Sequence, residues 1–276
     1  TLTAQETKDV LNAMSHNQIK LLYVAPERLT NQGFVDRLRK LKISLMAIDE
    51  AHCISEWGHN FRPDYLKLAE LSRSLNVERV LALTATATPA VSEQICQRFG
   101  IEKEAHIQTG FYRPNLTLRV TPCTEPERNE RLMQAIKTIT GPTIVYVTLQ
   151  KTAEDIAGLL NRQGHIAKAY HAGLKDDQRH NIQEAFMSGN VNIIVATIAF
   201  GMGIDKSDIR HIFHYNLPKS LENYMQEVGR AGRDGNPSYC ELLACSEDLT
   251  VLENFTYGDT PELNALNNMV DWLMAQ

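Results

Sequence analysis

An α/β fold of two successive lobes, each with a mostly parallel sheet flanked by helices, is predicted by three observations. Apolar runs of strand length alternate with amphipathic runs of helix length along most of the chain. The length of 276 residues suffices for two domains of ordinary size. The alternation is interrupted between Phe99 and Pro114, where glycines and a proline indicate a hinge.

Composition and charge exclude several classes of protein. Hydrophobic residues make up 43% and charged residues 22% of the chain, which is typical of a globular protein and not of a disordered one. Because the net charge is −5, a polyanion must be met by a local basic patch. The longest apolar run, 191–204, does not suit a membrane span, and with no signal peptide visible a cytoplasmic enzyme is expected. The five scattered cysteines, without a Cys-x-x-Cys pair, predict neither a zinc site nor a disulfide framework.

The first half of the chain is predicted to alternate between helices and strands up to the hinge. In chain order these elements are a helix over 3–15, a strand over 19–24, a helix over 34–41, and strands over 45–48 and 80–84. A strand, a helix and a second strand in this order imply a right-handed parallel crossover. Thr88 and Pro89 then open another helix, because threonine is a good N-cap and proline suits the first helical position.

The strand over 45–48 delivers two adjacent carboxylates, Asp49 and Glu50, and then His52. In an α/β sheet, ligands bind in the crevice at the carboxyl ends of the strands. There Asp49 can hold a Mg²⁺ ion, and Glu50 can orient or deprotonate the water that attacks a γ-phosphate. An Asp-Glu pair alone would more often be a solvated acidic turn. The complete run Asp-Glu-Ala-His after an apolar strand favours a nucleotide-hydrolysing site.

The loop after these carboxylates is rich in aromatic and basic side chains: Trp57, Phe61, Tyr65, His59 and Arg62. Aromatic faces stack on unpaired bases and an arginine can meet a phosphate, as single-strand-binding surfaces require. The alternative is that the aromatics cap the core beneath a long loop. Their number, directly after the carboxylates, favours a role in nucleic-acid binding or in its coupling to the chemistry. Two threonines after the next strand, Thr84 and Thr86, could either link the crevice to this surface or serve only as cap and turn residues.

The second half repeats the α/β alternation. Helices are predicted over 125–139, 152–160 and 175–187 and from about Ser220, and strands over 143–147, 167–170, 191–196 and 209–215. Past Cys245, two further helices are expected, over about 247–255 and 261–274. The predicted domains are therefore a first lobe over 1–110, a second lobe over 111–246 and a helical extension over 247–276.

Two glycine-rich segments of the second half carry chemistry. In the segment after the strand 191–196, Gly201 and Gly203 allow the backbone to approach a ligand closely. Farther on, Arg230 and Arg233 are flanked by glycines at a helix end and can both point at one polyanion. A guanidinium that reaches a γ-phosphate from a second domain acts as an arginine finger. The alternative, a solvated helix end with two surface arginines, is disfavoured by the carboxylates in the other half.

Together these motifs resemble those of the RecQ family of superfamily 2 DNA helicases. The matching segments are 49–52 for the Walker B motif, 55–63 for the aromatic-rich loop, 83–87 for motif III, 200–206 for motif V and 226–235 for motif VI. Segments 113–115 (Arg-Pro-Asn) and 170–174 (Tyr-His-Ala-Gly-Leu) also fit the second lobe of the family. The resemblance covers nearly all of residues 20–245, with the motifs in the family's order.

The resemblance implies two RecA-like lobes that bind ATP between them and single-stranded DNA across their top. It implies ATP and Mg²⁺ as cofactors, single-stranded and forked duplex DNA as partners, movement in the 3′-to-5′ direction, and a role in DNA repair and recombination. The catalytic residues would be Asp49 (the Mg²⁺ ligand), Glu50, His52, Gln226, Arg230 and Arg233. Gly203 and Asp205 would join Asp49, Glu50 and the two arginines in binding the cofactor. DNA binding and its coupling to hydrolysis would involve Trp57, His59, Phe61, Arg62, Thr84 and Thr86.

One departure from the family concerns the phosphate-binding loop. The sequence contains no Gly-x-x-x-x-Gly-Lys-[Ser/Thr] segment. The first lobe is therefore expected to be incomplete at its N-terminal side, and the chain alone is expected to bind ATP poorly and to hydrolyse it negligibly. Two alternatives stay open, an RNA-remodelling enzyme of the same superfamily and an inactive scaffold that binds nucleic acid or protein.

Overall fold

A computed structural model describes residues 3–55, 62–110, 112–197, 200–201 and 204–257. The chain divides into two compact units, Thr1–Gly110 (unit 1) and Phe111–Gln276 (unit 2). The predicted helix over 261–274 lies outside the described residues. No helix of the described part is long and apolar enough to cross a membrane.

Unit 1 contains a pair of parallel strands and the helices that pack on it. The described helices are α1 (Ala4–Ser15), α2 (Gln32–Leu38), α3 (Pro63–Ser74) and α4 (Pro89–Phe99), and the strands are β1 (Met46–Ile48) and β2 (Val80–Ala82). Met46 lies opposite Val80, and Ile48 lies opposite Ala82. The predicted start of α4 is confirmed, since the Thr88 side chain accepts a hydrogen bond from Val91 N and Pro89 is the first helical residue.

The predicted strand over 19–24 is wrong. These residues form no strand ladder with any described segment. Leu21 and Tyr23 are exposed, whereas Leu22 and Val24 pack against a cluster that includes Phe34. The alternation of apolar residues therefore reflects an irregular segment that packs one of its sides against the core. The sequence also predicts a short strand around Ile107, within the hinge segment. This prediction is wrong, because Ile107 is exposed and forms no ladder with any strand of the described residues.

Unit 2 is built on a six-stranded sheet in which all pairs are parallel. The strands are β3 (Leu116–Pro122), β4 (Thr143–Tyr146), β5 (Ala167–Tyr170), β6 (Ile193–Ala196), β7 (His211–His214) and β8 (Ser238–Ala244). Their order across the sheet is β3-β8-β7-β4-β6-β5. The described helices are α5 (Glu125–Lys137), α6 (Gln150–Arg162), α7 (Asp176–Met187), α8 (Leu221–Val228) and α9 (Asp248–Tyr257).

Both faces of this sheet are covered by helices. Val145 belongs to a buried cluster with Leu132 of α5 and Leu160 of α6. Its neighbour Ile144 points the other way, into a cluster with Phe186 of α7 and Val228 of α8. The central strands are consequently apolar on both faces, as expected for a parallel sheet between helices. The predicted architecture of parallel sheets flanked by helices is confirmed. The acidic turn follows the carboxyl end of β1, and the glycine-rich segment follows the carboxyl end of β6.

Candidate functional site

The acidic turn of unit 1 is held beside the turn that follows β2. Leu83 N donates to Ile48 O over 2.8 Å, and Ala51 N donates to Leu83 O over 2.9 Å. Because β1 and β2 are parallel, their carboxyl ends lie at the same edge. The carboxylates after β1 and the threonines after β2 therefore start from adjacent positions.

Glu50 has an uncommon backbone conformation. Its φ of 51° and ψ of 41° lie in the left-handed region, which costs a residue with a Cβ roughly 1–2 kcal/mol and is enriched at functional sites. Asp49 Oδ1 accepts a hydrogen bond from Glu50 N over 2.9 Å. The Tyr65 hydroxyl donates to Asp49 O over 3.2 Å. These contacts hold the turn in this conformation.

One carboxylate oxygen of Glu50 is buried and accepts no hydrogen bond from any described residue. Such an atom carries a desolvation cost unless a ligand, a water or an ion serves it. Two adjacent carboxylates suit Mg²⁺, which in nucleotide sites takes one or two protein carboxylates together with phosphate oxygens and waters. Among the described residues there is no group of three or more His, Cys, Asp or Glu that could hold a metal by itself. The residues at this turn therefore fit Mg²⁺ delivered with a nucleotide better than a metal held entirely by protein.

His52 connects the acidic turn to the threonine turn. Its Nδ1 lies 2.9 Å from Thr84 Oγ1 and 3.3 Å from the buried oxygen of Glu50. Thr84 Oγ1 also accepts from Thr86 N over 3.2 Å. Burial lowers the pKa of His52, and this effect exceeds the opposing effect of the Glu50 carboxylate. His52 is consequently neutral at pH 7, so that it shares a hydrogen bond with Thr84 and forms no full ion pair with Glu50.

Of the residues expected to bind or sense DNA, Arg62, Thr84 and Thr86 lie within the described part of the chain. Arg62 is exposed at the start of α3, and its backbone N donates to Cys53 O over 3.0 Å. Its positive charge contributes to the low pKa of His52, which indicates that the two side chains are near each other. Trp57, His59 and Phe61 lie outside the described residues, so their expected roles stay predictions.

The arginine loop of unit 2, residues 229–235, follows α8 and contacts the glycine-rich segment after β6. The Arg230 guanidinium donates to Gly201 O and lies against Gly201, where an added Cβ would be 2.6 Å from Arg230 Nη2. Arg233 Nη1 donates to Ile204 O over 3.3 Å and to Asp205 Oδ1 over 3.1 Å. Asp205 is 88% exposed, so its ion pair with Arg233 is weak. Both predicted arginines thus meet the segment that the sequence assigns to cofactor binding.

Two other residues of this region, Gln226 and Gly203, are expected from the sequence to act on the nucleotide. Gln226 lies half-buried on α8, one helical turn before Arg230. Gly203 lies outside the described residues, and its expected contact with the cofactor stays a prediction.

Sequence reasoning missed a buried pair that anchors α8 to the sheet. His214, at the end of β7, shares a 2.7 Å hydrogen bond between its Nε2 and Glu227 Oε2, and both residues are buried. The Tyr146 ring stacks on His214, with 5.4 Å between ring centroids. Tyr146 in turn donates from its hydroxyl to Phe200 O over 3.2 Å. The available signal was a glutamate on the buried face of α8 beside Val228, three residues before Arg230.

Comparisons with known proteins agree with this arrangement. A family model described as DEAD/DEAH box helicase matches residues 1–95, and one described as helicase conserved C-terminal domain matches residues 127–235. The chain is 43% identical over 280 residues to the ATP-dependent DNA helicase RecQ of Bacillus subtilis (strain 168), with 99% of this chain and 47% of that protein covered. It is 42% identical over 242 residues to the ATP-dependent DNA helicase RecQ of Pasteurella multocida (strain Pm70), with 87% and 38% covered. The chain thus spans about half of these relatives' length or less.

A solved structure shares the fold. The chain aligns with S. cerevisiae Dbp5 bound to RNA and ADP BeF3 at a TM-score of 0.60 and 19% identity, with 91% of this chain and 62% of that chain covered. At this identity the likeness shows the fold alone. The predicted fold class of two RecA-like lobes with parallel sheets flanked by helices is confirmed.

Proposed function

We propose a function from one premise, that the chain belongs to the RecQ family of superfamily 2 helicases. The function is that of the motor core of an ATP-dependent DNA helicase, which couples ATP hydrolysis to movement on single-stranded DNA and to duplex unwinding. The observation that carries this proposal is the acidic turn, beside Asp49 at the end of a parallel strand. There a buried Glu50 oxygen accepts no hydrogen bond from the described residues, although the His52 ring lies 3.3 Å away.

At the acidic turn, Asp49 would hold Mg²⁺ and Glu50 would orient or deprotonate the attacking water. When bound with ATP, Mg²⁺ supplies positive charge that neutralises the phosphate oxygens during transfer. The two carboxylates have different partners: Asp49 Oδ1 accepts from Glu50 N, whereas an oxygen of Glu50 lies 3.3 Å from His52 Nδ1. These different surroundings suit two different roles for two adjacent acids.

Arg230 and Arg233 would stabilise the charge that develops on the transferred phosphoryl group. Both arginines donate to neutral carbonyl oxygens, at Gly201 and Ile204, and Arg233 also forms a weak, exposed ion pair with Asp205. A phosphate is a stronger acceptor than a carbonyl, because both partners of the bond are then charged. The arginines would therefore exchange these carbonyls for phosphate oxygens, and arginine fingers of this kind raise turnover by about 10³–10⁵. Gln226, one turn before Arg230, would help to sense the nucleotide.

Coupling to DNA would pass through His52. Its hydrogen bond to Thr84 joins the acidic turn to the turn after β2, and Arg62 lies close enough to affect its pKa. Trp57, His59 and Phe61 would meet single-stranded DNA next to this path. The 3′-to-5′ direction, the preference for forked duplexes, the role in repair and recombination, and a cytoplasmic location are further parts of the proposal that rest on the family alone.

The proposal is tested by Glu50→Gln in a protein that joins this chain to a phosphate-binding loop. We expect single-stranded DNA to stimulate phosphate release by the parent protein, and the variant to lose at least about 100-fold in turnover because its water is no longer activated. DNA affinity should stay unchanged. Glu70→Gln, an exposed change on α3, is the matched control. Turnover retained by Glu50→Gln, or unwinding of RNA forks in preference to DNA forks, would overturn the proposal.

A further inference from the structure

The arginine loop is held by two side chains from the beginning of unit 2, which we name the clamp: Arg113 and Asn115. Arg113 Nη2 donates to Gly232 O over 2.7 Å and to Ala231 O over 3.2 Å. Asn115 Nδ2 donates to Gly232 O over 2.8 Å and to Asn236 O over 3.0 Å. The clamp thus reaches the loop from more than 100 residues earlier in the chain.

The contact is closely fitted around Gly232, one of the two residues between the arginines. Its φ of 53° is in the left-handed region, and an added Cβ would lie 2.5 Å from Asn115 Nδ2. The backbone of Gly232 is fixed as well, since its N donates to Ile209 O over 2.9 Å. The backbone of Asn115 is fixed too, because its O accepts a hydrogen bond from Ser238 N over 2.9 Å. The loop therefore has little freedom while the clamp is in place.

The clamp acts on the part of the loop that carries both arginines. The carbonyl oxygen of Gly232 accepts hydrogen bonds from both Arg113 and Asn115, and the carbonyl oxygen of Ala231 accepts one from Arg113. A bond from a guanidinium to a carbonyl is stronger than one between neutral groups. Loss of the clamp would free the backbone between Arg230 and Arg233 and spread the directions in which their guanidinium groups point.

In sequence, the clamp residues also lie close to the position at which unit 1 ends. Arg113 and Asn115 follow Gly110, the last residue of unit 1, by only a few positions. The chain that leaves unit 1 is therefore bonded to the arginine loop almost as soon as it enters unit 2. A change in the path of the chain at this boundary would reach the arginine loop directly.

We propose that Arg113 and Asn115 are positioning residues, which hold the arginine loop so that Arg230 and Arg233 are presented together and which connect the loop to the boundary between the units. The effect on catalysis rests on the proposed function of the two arginines. The ordering of the loop does not.

Hydrogen exchange tests the ordering without nucleotide. We expect Asn115→Ala to speed the exchange of the Gly232 and Gly235 amides by about tenfold or more, while the amide of Val145 in β4 is unchanged. The matched control is Asn161→Ala in the same unit, because Asn161 Nδ2 likewise donates to two carbonyls, Ala157 O over 2.7 Å and Ala167 O over 2.9 Å. An unchanged Gly232 amide in Asn115→Ala, or the same acceleration in both variants, would overturn the proposal.

Kinetics test the effect on catalysis, in a protein that joins this chain to a phosphate-binding loop. Arg113→Gln and Asn115→Ala should lower kcat about tenfold or more and leave KM for ATP and DNA affinity within about twofold, because the clamp acts through the arginines in the transition state. Arg113→Lys should recover part of kcat, and Asn161→Ala should retain all of it. If the parent protein hydrolyses ATP and the clamp variants keep its kcat, the positioning role fails alone. If the parent protein hydrolyses no ATP, the proposed function fails, and the exchange experiment still decides on the ordering of the loop.

Discussion

His52 Nδ1 lies 2.9 Å from Thr84 Oγ1, a contact between the turns that follow the two parallel strands of unit 1. This hydrogen bond joins residues 32 positions apart in the chain. Through this bond the neutral His52 ring, which lies beside Glu50, is held against Thr84. The bond supplies a physical route by which a change at the threonine turn reaches the carboxylates.

Thr84→Val removes this route while it keeps the shape of the side chain. We expect a loss of about 1 kcal/mol in the free energy of unfolding of unit 1, because a partly buried hydrogen bond is lost. In a protein with a phosphate-binding loop, DNA should no longer stimulate turnover fully, whereas turnover without DNA should persist. Thr84→Ser, which keeps the hydroxyl, serves as control in urea unfolding and phosphate-release assays. Full stimulation in Thr84→Val would contradict the coupling role.

The stability of unit 1 should depend on pH through His52. Burial lowers the pKa of His52 below its usual 6.5, so below that pH the unfolded chain binds a proton that the folded chain resists. Stability should therefore fall as the pH falls from about 6.5 towards the folded pKa of His52, and it should be restored above 6.5. Titration of the ring proton by NMR should give a midpoint below 6.5. His52→Gln should flatten the pH dependence, and the exposed change His16→Gln should not. A midpoint at or above 6.5 would contradict this prediction, because it would show that the Glu50 carboxylate stabilises the protonated ring more than burial destabilises it.

Gly201→Ala tests the contact between Arg230 and the glycine-rich segment. The new Cβ would lie 2.6 Å from Arg230 Nη2, so the guanidinium must move. Because the displaced group is the end of a flexible side chain, the free energy of unfolding should change by less than about 1 kcal/mol. Turnover should nevertheless fall at least about tenfold, since arginine fingers act through their position. Gly158→Ala, in the middle of α6 with only Arg162 Nη1 nearby, should change neither quantity adversely. Unchanged turnover in Gly201→Ala would show that the contact between Arg230 and Gly201 has no role in catalysis.

The chain by itself should not turn over ATP. Its sequence contains no Gly-x-x-x-x-Gly-Lys-[Ser/Thr] segment. The lysine and the backbone amides with which such a segment binds the phosphates are therefore missing from this sequence. Phosphate release with saturating single-stranded DNA should stay at the level of a buffer control. Hydrolysis by the 276-residue chain that increases with DNA would show that other groups replace the loop.

The features that could be predicted from the sequence are local ones. The apolar run before Asp49 and the glycines around Arg230 and Arg233 are visible within a few residues, and the strands of the central sheet of unit 2 are apolar on both faces. The edge strand β3 was not predicted, because its side chains are largely exposed and it is held by pairing with β8. For the opposite reason, the segment 19–24 looked like a strand although no partner lies beside it within the described part of unit 1.

Contacts between distant segments could not be predicted. The clamp from Arg113 and Asn115 depends on the pairing of β3 with β8, which brings the beginning of unit 2 beside the segment that follows the arginine loop. The bond between His214 and Glu227 depends on how α8 packs on β7. Neither pairing leaves a periodic pattern in the sequence, so these residues became visible only in three dimensions.

A double-mutant cycle on ATP turnover tests the central claim that the acids of unit 1 and the arginines of unit 2 serve one reaction. In a protein that joins this chain to a phosphate-binding loop, kcat would be measured for Glu50→Gln, Arg230→Ala and the double variant. Groups that act together in one transition state are not additive, so the double variant should be about as slow as the slower single variant. If the two losses multiply in full, the two residues act independently of each other. If Arg230→Ala keeps the parental kcat, Arg230 takes no part in the reaction. Either result would contradict the claim that the acids and the arginines act together.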